Sequence, residues 1–111
     1  MDKSSVSELV EELEMEINNG GFDQYFFNSA GDRVYPTVEA LEAIGAKHTA
    51  NIVRRAIAKF PQGVVPENRE ARQEVLLDKV SPDSDAFEEE DSAFLKYQDD
   101  LASLLATHAN G

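Results

Sequence analysis

Val6, Leu9, Val10, Leu13 and Ile17 recur three and four positions apart, and at helical spacing they fall within about one 100° arc. Glu8, Glu11 and Glu12 lie on the opposite side, with Met15 among them. The pattern predicts an amphipathic helix reaching about Asn18, opened by Ser5 and Glu8 as an S-x-x-E capping box. Asn19-Gly20-Gly21 then ends it, because glycine enters the left-handed conformation without a Cβ clash. Phe22, Tyr25 and Phe26 follow at i, i+3 and i+4, the spacing that puts three side chains on one face of a short helix. They are expected to fold back as core, with Asp23 and Gln24 turned outward or capping neighbouring backbone, and Phe27 unassigned.

The rest of the chain continues in the same period. Asn28-Ser29-Ala30-Gly31-Asp32 reads as a turn, and Pro36 as the first residue of a helix carrying Val38, Leu41 and Ile44 and stopped by Gly45. A helix from about Lys47 follows, with Ala46, Ala50, Val53, Ile57 and Phe60 as its apolar stripe, a basic outer face, and Pro61-Gln62-Gly63 as its stop. Pro66 opens another over Glu67–Val80, whose buried side is assigned to Ala71, Val75, Leu76 and Val80. Phe94, Tyr97, Leu101, Leu104, Leu105 and His108 then predict one continuous last helix, starting between Glu88 and Ser92. No stretch alternates with the period of a strand. The expected fold is all-α, a single compact domain of about five to six helices over residues 1–111, with 1–5 disordered and 81–91 an acidic linker.

Composition narrows the function classes. The 111 residues carry 10 basic and 22 acidic side chains, a formal charge of −12. That sign argues against direct nucleic-acid or anionic-membrane binding and toward a positively charged partner. The charge is concentrated at the two ends: residues 1–32 and 81–111 each carry −7, whereas residues 33–59 carry +3. There is no cysteine, which excludes disulfides and thiolate catalysis and fits a reducing compartment. With no apolar leader or bilayer-length apolar run, a soluble, cytoplasmic protein is expected.

Glu8, Glu11, Glu12, Glu14 and Glu16 place five charges along about 12 Å of helix, or one per roughly 2.4 Å, against one per about 1.7 Å of duplex DNA. An acidic helix pair could therefore engage a protein that ordinarily binds DNA. The candidate partner-binding residues are Glu8, Glu11, Glu12 and Met15 on the first helix, with Glu88, Glu89, Glu90 and Asp91 near the start of the last.

Catalytic and cofactor chemistry find no motif. His48 and His108 are separated in sequence, and no G-x-S-x-G accompanies them. In DSDAFEEED, Asp83–Asp91, an EF-hand loop would require an oxygen ligand at Phe87, glycine at Glu88 and glutamate at Phe94. No catalytic residue, metal or cofactor is assigned. Two binding classes remain: a DNA mimic acting on a basic DNA-binding protein, and an immunity or antitoxin-like inhibitor of a basic toxin such as a nuclease. A convergent polar pocket containing His48 would instead indicate an enzyme.

The runs NNGGFDQYFFNSAGD, Asn18–Asp32, TVEALEAIGA, Thr37–Ala46, and FLKYQDDLASLL, Phe94–Leu105, resemble a bacterial family of helical proteins long classed as a domain of unknown function, which includes a DNA-mimic protein. The resemblance implies an all-α fold and, for the DNA-mimic branch, a homodimer whose carboxylates imitate phosphates. It carries no catalytic residue over to this chain.

Overall fold

Asp2 opens the first helix: its carboxylate accepts the Ser5 backbone N–H at 2.8 Å, the service expected of Ser5. Helix therefore begins at Lys3, inside the segment expected to be disordered, and the Ser5–Glu8 pair is interior to it. The computed structural model describes residues 1–110, in which α1 spans Lys3–Phe27, α2 Val34–Ala43, α3 Lys47–Ala58, α4 Arg69–Val75, α5 Glu88–Leu95 and α6 Leu101–Asn110, with no strand among the described residues. A radius of gyration of 13.4 Å is that of one folded domain of this length.

Gly20-Gly21 bends α1 and does not end it. Gly21 takes φ +72° and ψ −169°, and the helix restarts at Phe22. A Cβ there would lie 2.3 Å from an Asp91 carboxylate oxygen, so both the backbone angle and the neighbour require glycine. The bend turns Phe22, Tyr25 and Phe26 into the protein, where all three are fully buried. Phe26 meets Phe60 edge-on at 4.8 Å between ring centroids, and Phe22 packs against Phe87 at 5.9 Å and Phe94 at 6.3 Å. The aromatic cluster joins α1 to the end of α3 and to α5. Val6, Leu9, Val10, Leu13 and Ile17 are buried as their spacing requires.

A 3₁₀ turn, Ser29–Arg33, leads into α2. Pro36 is the third helical residue of α2 and not the first; proline is tolerated there because first-turn N–H groups have no intrahelical acceptor. Gly45, at φ +81°, terminates the helix. In α3, Ala50, Val53 and Ile57 face the core, and Lys47, Arg54 and Arg55 face outward.

Several expectations fail in the second half, beginning with the start of α4, which is capped by Asn68 and opens at Arg69 instead of at Pro66. Ala71 is exposed, and the buried side of α4 is formed by Arg72 and by Leu76 just beyond it. The helix then widens into a π turn, Leu76–Val80, closed by the Ser81 N–H donating to the Leu76 carbonyl at 2.8 Å. The last helix is two: α5 stops at Leu95, Tyr97 adopts φ +48°, and Asp100 caps α6 by accepting the Ser103 N–H at 3.1 Å. The period near 3.5 survives the break: Phe94 in α5 and Leu101 in α6 are buried, and Tyr97 between them bonds Glu14 and Asn18 of α1.

Candidate functional site

Ser4, Glu8, Glu11, Met15 and Asn19 succeed one another along α1 at steps of four and three, and all are exposed. They form a ridge opposite the buried stripe. Glu8 and Glu11 have no base within ion-pair reach among the described residues. Met15 is 65% exposed, the most exposed large apolar side chain, and stands between two helical turns of acid and amide. An unbranched thioether in that position offers an adaptable apolar contact inside a charged surface.

The other glutamates of α1 are tied down on the flanks of the ridge. Glu12 pairs with Arg33. Glu16 accepts from the Gln24 amide at 2.8 Å and the Asn28 amide at 3.0 Å, so it braces the bend. Glu14 accepts the Tyr97 hydroxyl at 3.1 Å, and that hydroxyl accepts from the Asn18 amide at 2.8 Å. Burial pushes the Glu14 carboxyl above its ordinary range, and the nearby Glu11 charge adds to the rise. The linear charge density inferred from five glutamates therefore resolves into a free central pair and three that also hold the fold.

The second candidate cluster divides in the same way. Residues 88–91 are not linker but the first turn of α5, where the helix dipole favours acids. Glu88 and Glu89 are exposed. Glu90 turns inward to 3% exposure; its carboxylate lies 2.9 Å from Lys59 Nζ and 3.7 Å from Arg55 Nε. The closer contact is an ion pair without hydrogen-bond alignment, and the Lys59 ammonium donates to the Ala86 carbonyl at 2.6 Å. Asp91 accepts the Phe22 N–H at 2.8 Å. It thus caps, from another helix, the restart of α1 after Gly21. Burial raises the Asp91 carboxyl above the usual carboxylate range, and the charges of Asp23, Glu90 and Glu88 push in the same direction. Asp23 follows Phe22 in the chain and Glu88 shares the first turn of α5 with Asp91, so the Asp91–Phe22 bond brings these acids to the bend, beyond the end of the Glu8–Glu11 ridge.

Of the 22 acids, only Glu12, Asp32, Glu42 and Glu90 lie within ion-pair distance of a base among the described residues. The negative surface is thus largely uncompensated. His48 is exposed at the start of α3 and His108 half-buried on α6. No cluster of metal-ligating side chains is found among the described residues, and no helix there is long and apolar enough to cross a membrane.

Sequence reasoning missed one residue that shapes this region. Arg72 is wholly buried, and its guanidinium uses all five donors. Nε donates to the Phe26 carbonyl (2.6 Å), Nη1 to those of Pro66 and Glu67 (3.1 Å each), and Nη2 to the Asn28 carbonyl (2.9 Å) and the Asp32 carboxylate (2.7 Å). A Cβ on Gly31 would come within 2.8 Å of that Nε. Arg72 holds the Asn28–Asp32 turn, and with it Arg33, against which Glu12 is set.

A family model described as DMP19-like protein matches residues 6–111. No curated protein and no solved structure matches the chain. With nearly its whole length covered, the chain belongs to the DMP19-like protein family.

Proposed function

We propose that this member of the DMP19-like family is an acidic protein-binding module that acts as a DNA mimic, occupying the DNA site of a transcription factor or another basic DNA-binding protein. The observation that carries the reading is the α1 ridge: Glu8 and Glu11 are exposed and unpaired, and exposed Met15 follows them one turn on along the same face. A lone exposed apolar side chain is ordinary on a soluble protein, so the reading rests first on the free carboxylates, with Met15 as an apolar contact beside them. A surface meant to replace phosphates gains affinity from the carboxylates and discrimination from the thioether. The work is binding, and no residue is given a catalytic role.

The dimensions favour a homodimer. From Glu8 to Asn19, short of the bend, the ridge runs about 16 Å along α1 at 1.5 Å per residue, less than the roughly 34–36 Å that separates the half-sites read by a dimeric DNA-binding protein. Two copies related by a twofold axis would present two such ridges.

The test is capture of binding proteins from host lysate at low and moderate salt, followed by competition with duplex DNA. A DNA-binding protein released by duplex, and bound at least about tenfold more weakly by Glu8→Lys/Glu11→Lys, is the expected result. Affinity should also fall steeply with salt, as it does for phosphate contacts. Capture of a basic toxin that DNA does not displace would favour the inhibitor reading, and unchanged binding by the double variant would remove the ridge from either.

A further inference from the structure

A second feature of the surface lies away from the α1 ridge. Phe27, the one aromatic of the opening cluster that the core does not take, is 42% exposed, and Leu77 in the π turn is 51% exposed. The two stand on neighbouring elements. Gln73 donates from its side-chain amide to the Phe27 carbonyl at 2.7 Å, and Leu77 follows Gln73 by one turn of its helix. Arg72, fixed to the carbonyls of Phe26 and Asn28, locks this pairing of α4 against the end of α1. The stripe is therefore preformed, and π turns recur where a helix serves a function beyond packing.

Acids border it on both elements. Asp23 precedes Phe27 by one turn on α1 and directly follows Phe22, whose N–H Asp91 accepts at 2.8 Å. Glu70, Glu74 and Asp78 form an exposed row next to Gln73 and Leu77, with no base within ion-pair distance among the described residues. An apolar stripe between two acidic margins is complementary to one kind of protein segment, an amphipathic helix with apolar residues on one face and Lys or Arg at its edges. An anionic membrane is repelled by the same margins.

We propose that the Phe27–Leu77 stripe is a second docking surface, which takes a basic amphipathic helix of a protein partner. It is separate from the Glu8–Glu11 ridge and does not depend on mimicry of DNA.

The probe is a fluorescein-labelled synthetic helix of about 18 Lys and Leu residues with its leucines on one face, compared with a scrambled peptide of identical composition. Anisotropy at about 0.15 M salt should show the amphipathic peptide binding at least about tenfold more tightly than the scramble. Phe27→Ser/Leu77→Ser should erase that preference. Glu74→Lys/Asp78→Lys, which leaves the apolar residues in place, should weaken both peptides. Glu8→Lys/Glu11→Lys should leave the preference unchanged, so failure of the ridge proposal and failure of this one are distinguishable. Thermal melts of each variant verify folding, and if the double serine variant is unfolded the single change Leu77→Ser, at a position 51% exposed, decides. Equal binding of the two peptides, or a preference that survives the changes at the stripe, overturns the proposal. So does sedimentation showing that Phe27→Ser/Leu77→Ser converts a dimer to a monomer, since the occupant would then be a second copy.

Discussion

Arg72 concentrates the residue-scale physics of this fold. A guanidinium taken from water costs several kcal/mol unless every donor finds an acceptor, and here four carbonyls and one carboxylate meet the five donors. Truncating it leaves those acceptors without their partner, the buried Phe26 carbonyl above all. Arg72→Met is therefore expected to destabilise by about 3–5 kcal/mol in denaturant unfolding, and a loss below about 1 kcal/mol would show that the turn holds itself. Asp32→Asn keeps an acceptor and should cost less, about 1–2 kcal/mol. Phe26→Ala, at the centre of the aromatic cluster, should cost about 3–5 kcal/mol. The burial of Phe22, Tyr25 and Phe26 was legible from their spacing. Arg72 was not, because hydropathy counts a charged residue as surface and hides the register it shares with Leu76. Nor does any single stretch announce its acceptors, which come from Phe26, Asn28 and Asp32 on one side and Pro66 and Glu67 on the other.

At the scale of elements, the acidic C-terminal segment holds the N-terminal half by its carboxylates. Asp91 accepts the Phe22 N–H where α1 restarts. Asp99 accepts both the Thr49 N–H (2.7 Å) and the Thr49 hydroxyl (3.0 Å), at the start of α3, whose own N-cap residue is Ala46 and offers no side chain. Each aspartate supplies from a distance what a local cap would supply. Asp99→Ala is accordingly expected to cost about 1–2 kcal/mol; a change below about 0.3 kcal/mol would mean that water serves α3 equally well. Asp91→Asn should behave differently, since it keeps an acceptor for Phe22 while removing a charge from among Asp23, Glu88 and Glu90. Its stability should match or exceed that of the parent. These links explain which elements could be read from the chain. Helices ended by Gly45 or Pro61 announce their limits locally, whereas the break at Lys96–Asp100 carries no glycine or proline and is fixed by Asp99 reaching α3 and Tyr97 reaching Glu14. A pattern confined to one segment cannot register a partner 50 or 83 positions away.

For the whole molecule, the question is how a net charge of −12 coexists with a small core, and the carboxylates themselves give opposed answers. Asp32, bonded by Arg72 and Arg69, holds its carboxyl below the ordinary value of 3.8. Its folded form binds fewer protons than its unfolded form in the interval below that value, so stability rises with pH there and is lost as pH falls through the depressed pKa. Glu14 and Asp91 lie above their ordinary values of 4.5 and 3.8, chiefly through burial. For these two the folded form binds more protons in the interval above those values, so stability falls as pH rises through it. The net charge of −12 opposes the compact state through self-repulsion, which salt screens. The two slopes meet near the carboxylate range. Denaturant midpoints measured from pH 3 to 8 are expected to peak at about pH 4–5 and to decline on both sides. The acid side should flatten in Asp32→Asn, and the neutral side should flatten in Asp91→Asn or when about 0.5 M salt screens the surface. A profile that instead climbs steadily to neutral pH would mean that the exposed carboxylates cost the fold nothing. The acidic surface would then be compatible with solvation alone, and the case for recognition would rest entirely on Met15 and the charge-reversal binding experiment.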